Sequence, residues 1–158
     1  MTEPVAEPPA RPGRDADPQE VWAYACDLLR DGHCERWAWM FAEDGVVEFP
    51  FAPDGVQRRM AGRAEILRVL TPMQQRAWAA VHFLGRESLV VHRSTDPELI
   101  ICEYDSVKEV AASGTRFSQP YVHVVRVRDG EILELRDYWS AIQADPRFAA
   151  VLDGPAGS

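Results

Sequence analysis

Asp137 is the residue whose surroundings most invite chemistry. It lies in the stretch YVHVVRVRDGEILELRDYW at 121–139, where two alternating segments flank Asp129-Gly130. An Asp-Gly pair between such segments marks a two-residue hairpin turn, because both central positions take positive φ. If Arg128 then pairs with Glu131, Leu133 faces Arg126, Leu135 faces Val124 and Asp137 faces Val122. On that register Asp137 shares an apolar side with Leu133, Leu135 and Trp139 and is its sole carboxylate, with Arg126 at the rim. Glu134, Arg136 and Tyr138, beside Val125, His123 and Tyr121, take the opposite, wetter side. A one-residue bulge would invert the assignment. A desolvated carboxylate fixed on a strand can act as general acid or base. It can equally be a structural group paired with Arg136, Arg126 or a backbone donor.

The other candidates are weaker. His82 alternates with Val81 and Phe83 and shares a side with Trp78, Ala80 and Leu84, so it is either a hydrogen-bonded core residue or an assisting catalyst. His123 is expected on the outer side, and His33 and His92 at turns, structural or solvated. Trp39, Phe49, Phe51, Trp78, Tyr104 and Trp139 can line an aromatic substrate pocket, and each can also be ordinary core. Glu103 and Asp105 share a strand face that is expected to be solvated or partner-facing. Cys26 and Cys34 read as small apolar fillers. With Cys102 the cysteines number three, too few and too odd for a disulfide framework, which suits a reducing cytoplasm. No metal-ligand spacing and no glycine-rich phosphate loop appears, so no metal and no cofactor is expected.

These residues must be positioned by one domain, since the chain has 158 residues, 46% of them hydrophobic. A net charge of −8 argues against nucleic acid as partner. Apolar runs of about five residues exclude a membrane-spanning helix, which needs roughly 20. Residues 1–16 hold Pro4, Pro8, Pro9 and Pro12 and few apolar groups, and are expected to be a disordered tail. The domain is expected over 17–145, with a loose C-terminal tail at 146–158. Asp17, Pro18 and Glu20 form a helix start ahead of the stripe Val21, Tyr24, Ala25, Leu28, Leu29. A second short helix carries Cys34, Trp37, Ala38 and Phe41, Glu43-Asp44-Gly45 reads as a turn, and 46–49 as a strand. A third helix after Gly62 turns Ile66, Leu67, Leu70 and Met73 inward. Strands are expected at about 78–92, 98–110, 117–128 and 131–142. Helices followed by consecutive antiparallel strands make an α+β protein, three helices packed on a strongly curved, antiparallel or mixed sheet that encloses a pocket.

Four segments carry a family resemblance: FAEDGVVEFPFAP at 41–53, MAGRAEILRVL at 60–70, VHRSTDPELIICEYD at 91–105 and YVHVVRVRDGEILELRDYWS at 121–140. Over residues 18–143 the chain resembles the nuclear-transport-factor-2-like superfamily, and within it the SnoaL-like and phenazine-biosynthesis A/B-like branch. The resemblance implies a cone-shaped fold and a homodimer, with Tyr121, His123, Val125, Val127, Ile132 and Tyr138 as an outward row that could meet the partner. Ketosteroid-isomerase-like members place an aspartate base where this chain has Phe49, and a tyrosine donor near Ala25, so that constellation is absent. Epoxide-hydrolase-like members have an arginine where Glu103 stands. In SnoaL-like cyclases an acidic residue on the last strand is the general acid/base, and Asp137 matches it; His82 is the nearest substitute for the histidine that assists in phenazine-type members. The resemblance thus implies an isomerase or cyclase of secondary-metabolism type acting on an apolar aromatic or polyketide-like small molecule. Epoxide hydrolysis and a non-catalytic binding or assembly module are the alternatives it leaves open.

Overall fold

The computed structural model describes residues 9–139. Helix α1 (Pro18–Arg30) begins on a complete capping box: the Asp17 carboxylate accepts from the Gln19 N–H at 2.8 Å, and Glu20 accepts from the Asp17 N–H at 3.0 Å. Arg93 donates to the same Asp17 carboxylate at 2.7 Å, and that bond holds its carboxyl below the usual range. The buried stripe of α1 is Val21, Trp22, Ala25 and Leu28. Helix α2 (Cys34–Ala38) is one turn long and sets Trp37 edge-on to Phe41, ring centres 4.8 Å apart. Helix α3 spans 63–80: α-helical at Arg63–Glu65, π-helical at Ile66–Leu70 and α-helical again at Thr71–Ala80. Among the described residues no helix is long and apolar enough to cross a membrane.

The strands are β1 (Phe41–Glu48), β2 (Arg59–Ala61), β3 (Val81–Arg93), β4 (Leu99–Val110), β5 (Arg116–Arg128) and β6 (Glu131–Tyr138). They form one mixed sheet in the order β2-β1-β6-β5-β4-β3, with β1–β6 parallel and every other pair antiparallel. The sheet curls without closing, as expected of the α+β class, and the helices pack on its concave side.

Local expectations fail at four places. Phe41, expected on the second helix, opens β1 instead. Trp78 belongs to α3, not to a strand, and its indole donates to the Arg30 carbonyl at 3.2 Å. Residues 43–45 do not turn the chain; they form an irregularity inside β1 between Phe41 and Val46. Gly45 fits there because a Cβ would stand 2.9 Å from the Ile132 carbonyl oxygen. The loop beyond β1 contains β2, which pairs Val47 with Met60.

The hairpin turn forms as expected, with φ of 52° at Asp129 and 72° at Gly130. It fixes the first pairs, Arg128 with Glu131 and Val127 with Ile132, and then Leu133 is bulged out. Beyond it Arg126 pairs with Glu134, Val125 with Leu135 and His123 with Asp137. The expected Asp137–Val122 pairing is therefore corrected by one residue, and β5 presents its other side to the cavity. Val125, Val127, Ile132 and His123 are buried in consequence. The row expected to face a partner is mostly interior and cannot supply that surface. Arg126 turns to the outer side, ion-paired with Asp96.

Residues 9–16 lie against the body rather than apart from it. Arg11 donates to the Trp39 carbonyl at 2.9 Å and the Gly130 carbonyl at 3.3 Å, and Tyr24 donates to the Pro9 carbonyl at 2.9 Å. Residues 1–8, the last expected strand positions beyond 139 and the expected tail at 146–158 lie outside the described residues. A Cβ on Gly130 would come 2.6 Å from the Gly13 carbonyl oxygen. Gly130→Ala should thus meet both a left-handed backbone and this crossing segment, and should lower stability by about 1–3 kcal/mol in urea denaturation.

Candidate active site

Strand alternation and the β4–β5 register bring Ile100, Cys102, Tyr104, Ser106 and Lys108 onto one side with Val125, His123, Tyr121 and Gln119. Between that side and the helices lies a cavity of about 390 Å³. Its walls are mainly apolar and aromatic, with Trp22, Trp37, Phe49, Trp78, Tyr104 and Trp139 among them, and among the described residues Asp137 is the one carboxylate in its lining. The volume lies in the range of small-molecule sites.

At the centre is His123, 7% exposed. The Trp22 indole N–H donates to its Nδ1 at 2.9 Å. An indole nitrogen only donates, so Nδ1 must accept and the ring proton sits on Nε2. Nε2 lies 3.2 Å from the Tyr104 hydroxyl and 3.3 Å from Asp137 Oδ1. The approach to Oδ1 is too oblique for a well-formed hydrogen bond, and among the described residues this buried oxygen has no other partner. Burial works against a charge on His123, the Asp137 carboxylate works for it, and the balance raises its proton affinity. The Trp22 bond opposes a second proton, since that proton would set two N–H groups face to face. In this geometry the imidazole is the neutral Nε2–H tautomer.

A second buried polar group lies on the same side of β4, six residues along from Cys102, the cross-strand partner of His123. Lys108, 0% exposed, donates through Nζ to Gln119 Oε1 at 2.5 Å and to the Tyr121 hydroxyl at 2.6 Å. Its ammonium stands 5.0 Å from the centre of the Phe83 ring and 4.8 Å from that of Tyr121. Burial pushes its pKa down to about 7 against the opposing pull of Asp137. Tyr121 in turn stacks on Tyr104, 5.4 Å between centres and 9° between planes. Nearer the helices, Arg86 covers the Trp22 ring at 5.1 Å and pairs with Asp27 at 3.2 Å. Burial raises the Cys34 thiol pKa, and that of Cys102 to about 12, which keeps both as inert apolar groups.

Of the candidates read from sequence, Asp137, Phe49, Trp78, Tyr104 and Trp139 meet in the cavity lining. His82 does not; it packs on Trp78 with ring centres 5.3 Å apart, outside the lining. Trp39 is 47% exposed beneath the Arg63 guanidinium, 4.3 Å from its ring centre. Phe51 is 63% exposed and packs on Tyr138 over the convex side. The residues the sequence did not mark are Trp22, His123, Tyr121 and Lys108. Alternation places His123, Tyr121 and Lys108 together once the Leu133 bulge is known, but nothing in the turn announces it.

Two outcomes follow from this geometry. In Trp22→Phe, His123 loses the donor on Nδ1, so nitrogen-detected NMR should show a doubly protonated ring near neutral pH, against a fixed Nε2–H tautomer in the unaltered protein. For Lys108, the folded value of about 7 lies below the ordinary 10.5. Between the two the unfolded chain holds the proton and the folded one does not, so this group's contribution to stability rises with pH across that window and is flat below it. The urea-measured stability of the unaltered protein relative to Lys108→Met should rise accordingly from about pH 7 upward.

The comparisons with known proteins agree with one another. An uncharacterized PhzA/B-like protein of Pseudomonas aeruginosa is 33% identical over 132 residues, 79% of this chain and 85% of the relative. A Bacillus subtilis structure proposed to be an isomerase superposes with a TM-score of 0.72 at 26% identity, covering 84% of this chain and 93% of that one. A proposed polyketide cyclase of Xanthomonas campestris pv. campestris has a TM-score of 0.64 at 16% identity, covering 84% and 96%, a likeness of fold alone. The model of the SnoaL-like domain matches residues 22–135, and the chain belongs to that family.

Proposed function

We propose that the protein is a cofactor-free isomerase or cyclase of secondary-metabolism type, acting on an apolar, aromatic or polyketide-like small molecule. The observation that carries this is the placement of Asp137: among the described residues it is the one carboxylate lining an apolar cavity, and no donor saturates its buried Oδ1. Such an oxygen can take a proton from a carbon next to a carbonyl and return it elsewhere on the same molecule. The neutral His123, its Nε2–H beside that oxygen, orients the carboxylate and steadies its negative charge without competing for the proton. Phe49, Trp78, Tyr104 and Trp139 supply flat walls that hold the substrate and exclude water. His82 has no part in this scheme because it stands outside the lining. The SnoaL-like family and the structural neighbour proposed to be an isomerase support the reaction class.

The test is turnover of a panel of enones, epoxides and aromatic polyketide mimics, followed by mass spectrometry in deuterated and in oxygen-18 water. Asp137→Asn keeps the shape and cannot ionise, and should lose about 10²–10⁴-fold in rate while staying folded. Deuterium gained without solvent oxygen fits isomerisation or cyclisation. Solvent oxygen in the product would replace that reading by epoxide opening. Ligands that bind, and raise the melting temperature, but are never transformed would leave a binding module, and unchanged turnover in Asp137→Asn would remove Asp137 from the mechanism.

A further inference from the structure

Lys108, Gln119 and Tyr121 form a closed polar triangle in the inner layer, and the proton scheme above leaves it without a task. Lys108 Nζ donates to both other residues, and the Tyr121 hydroxyl also donates to Gln119 Oε1, at 3.2 Å. Gln119 Oε1 thus receives two donors, the lysine at 2.5 Å and the tyrosine far more loosely. The tyrosine hydrogen can leave that oxygen at little cost, because the lysine still satisfies it. Meanwhile the hydroxyl oxygen accepts from an amine at 2.6 Å, which polarises the O–H bond and strengthens it as a donor. Tyr121 lines the cavity.

The register gives the spacing. His123 stands opposite Asp137, and Tyr121 is two residues further along the same side of β5. Tyr121 and Asp137 are thus diagonal neighbours on one side of the sheet, both in the cavity lining, so one small bound molecule can meet both side chains.

We propose that Tyr121, backed by Lys108, holds the substrate oxygen on which negative charge develops, so that the ligand is a ketone or phenol-type compound bound through an enolate- or phenolate-like oxygen. This rests on the reading of Asp137 as proton acceptor. The electron pair of the broken C–H bond moves to the carbonyl oxygen, the proton goes to Asp137, and Tyr121 donates its hydrogen bond to the oxyanion without giving up the proton. When the carbonyl re-forms, Asp137 returns the proton to carbon. Lys108 acts through Tyr121 and is a positioning residue.

The test uses 4-nitrophenol as probe, since its absorbance distinguishes bound phenolate from bound phenol. The unaltered protein should bind it as the phenolate at a pH where the free probe is mostly protonated. Tyr121→Phe, which keeps the ring stack, and Lys108→Met, which keeps the chain length, should each weaken phenolate binding by about tenfold or more, with circular dichroism confirming the fold. Lys108→Gln serves the same purpose if Lys108→Met does not fold. Asp137→Asn should bind the phenolate at least as well, because a nearby negative charge is gone. The ionised probe in Asp137→Asn therefore stands even if the turnover experiment removes Asp137 from the mechanism. Binding of the neutral phenol by the unaltered protein, no binding at all, or equal phenolate binding in Tyr121→Phe would overturn the proposal.

Discussion

Along the β5–β6 ladder the Asp129-Gly130 turn sets the first two pairs, and Leu133 then stands as an extra residue on β6. Because side chains alternate with a period of two, that one residue decides which side of β5 faces the helices. It puts His123 across from Asp137 and leaves Val125 and Val127 in the core. The β1–β6 pairing is irregular in the same region, between Phe41 and Val46, and Gly45 lets the two backbones pass closely there. Bulges bend and twist a strand. The curl that makes room for the cavity and the register that furnishes it with chemistry thus share one origin.

The polar groups inside this curl differ in how far their neighbours satisfy them. A buried amine is costly, and Lys108 meets that cost with two oxygen acceptors, two ring faces and a proton affinity close to neutrality. His123 is held neutral by a donor from α1, whereas Asp137 keeps an oxygen that nothing saturates. The two arginines in the cavity lining are already engaged, Arg30 with Asp27 and Asp31 and Arg86 with Asp27 and the Trp22 ring. Among the described residues Asp137 is the charged group of the lining left without such an ion pair to an arginine.

Much of the fold was legible where chemistry is local. The Asp17-Pro18-Glu20 start and the Asp129-Gly130 turn formed as read, since each depends on residues within a few positions of itself. Trp78 is not legible as helical because the end of α3 and the start of β3 share one apolar stretch, and its indole bond to the Arg30 carbonyl is a contact distant in sequence. Gly45 looked like a turn residue, although its role is a close approach between backbones far apart in sequence. Of the site, Asp137 was legible as a carboxylate among apolar neighbours. His123 was not, since its side of the strand depends on a bulge that no turn residue encodes. Lys108 was not, because a lysine in an alternating strand reads as a solvated position until its cross-strand neighbours are known.

Trp22 ties the helical layer to this chemistry. Its N–H is the helical layer's hydrogen bond to the imidazole, and its ring meets Tyr104 edge-on with centres 5.5 Å apart. Trp22 lies in the first turns of α1, where the capping box and the Arg93–Asp17 pair fix the start of the helix against β3. The capping residues lie outside the cavity lining, yet they seat the helix whose indole occupies His123 Nδ1 and so fixes which ring nitrogen faces Asp137.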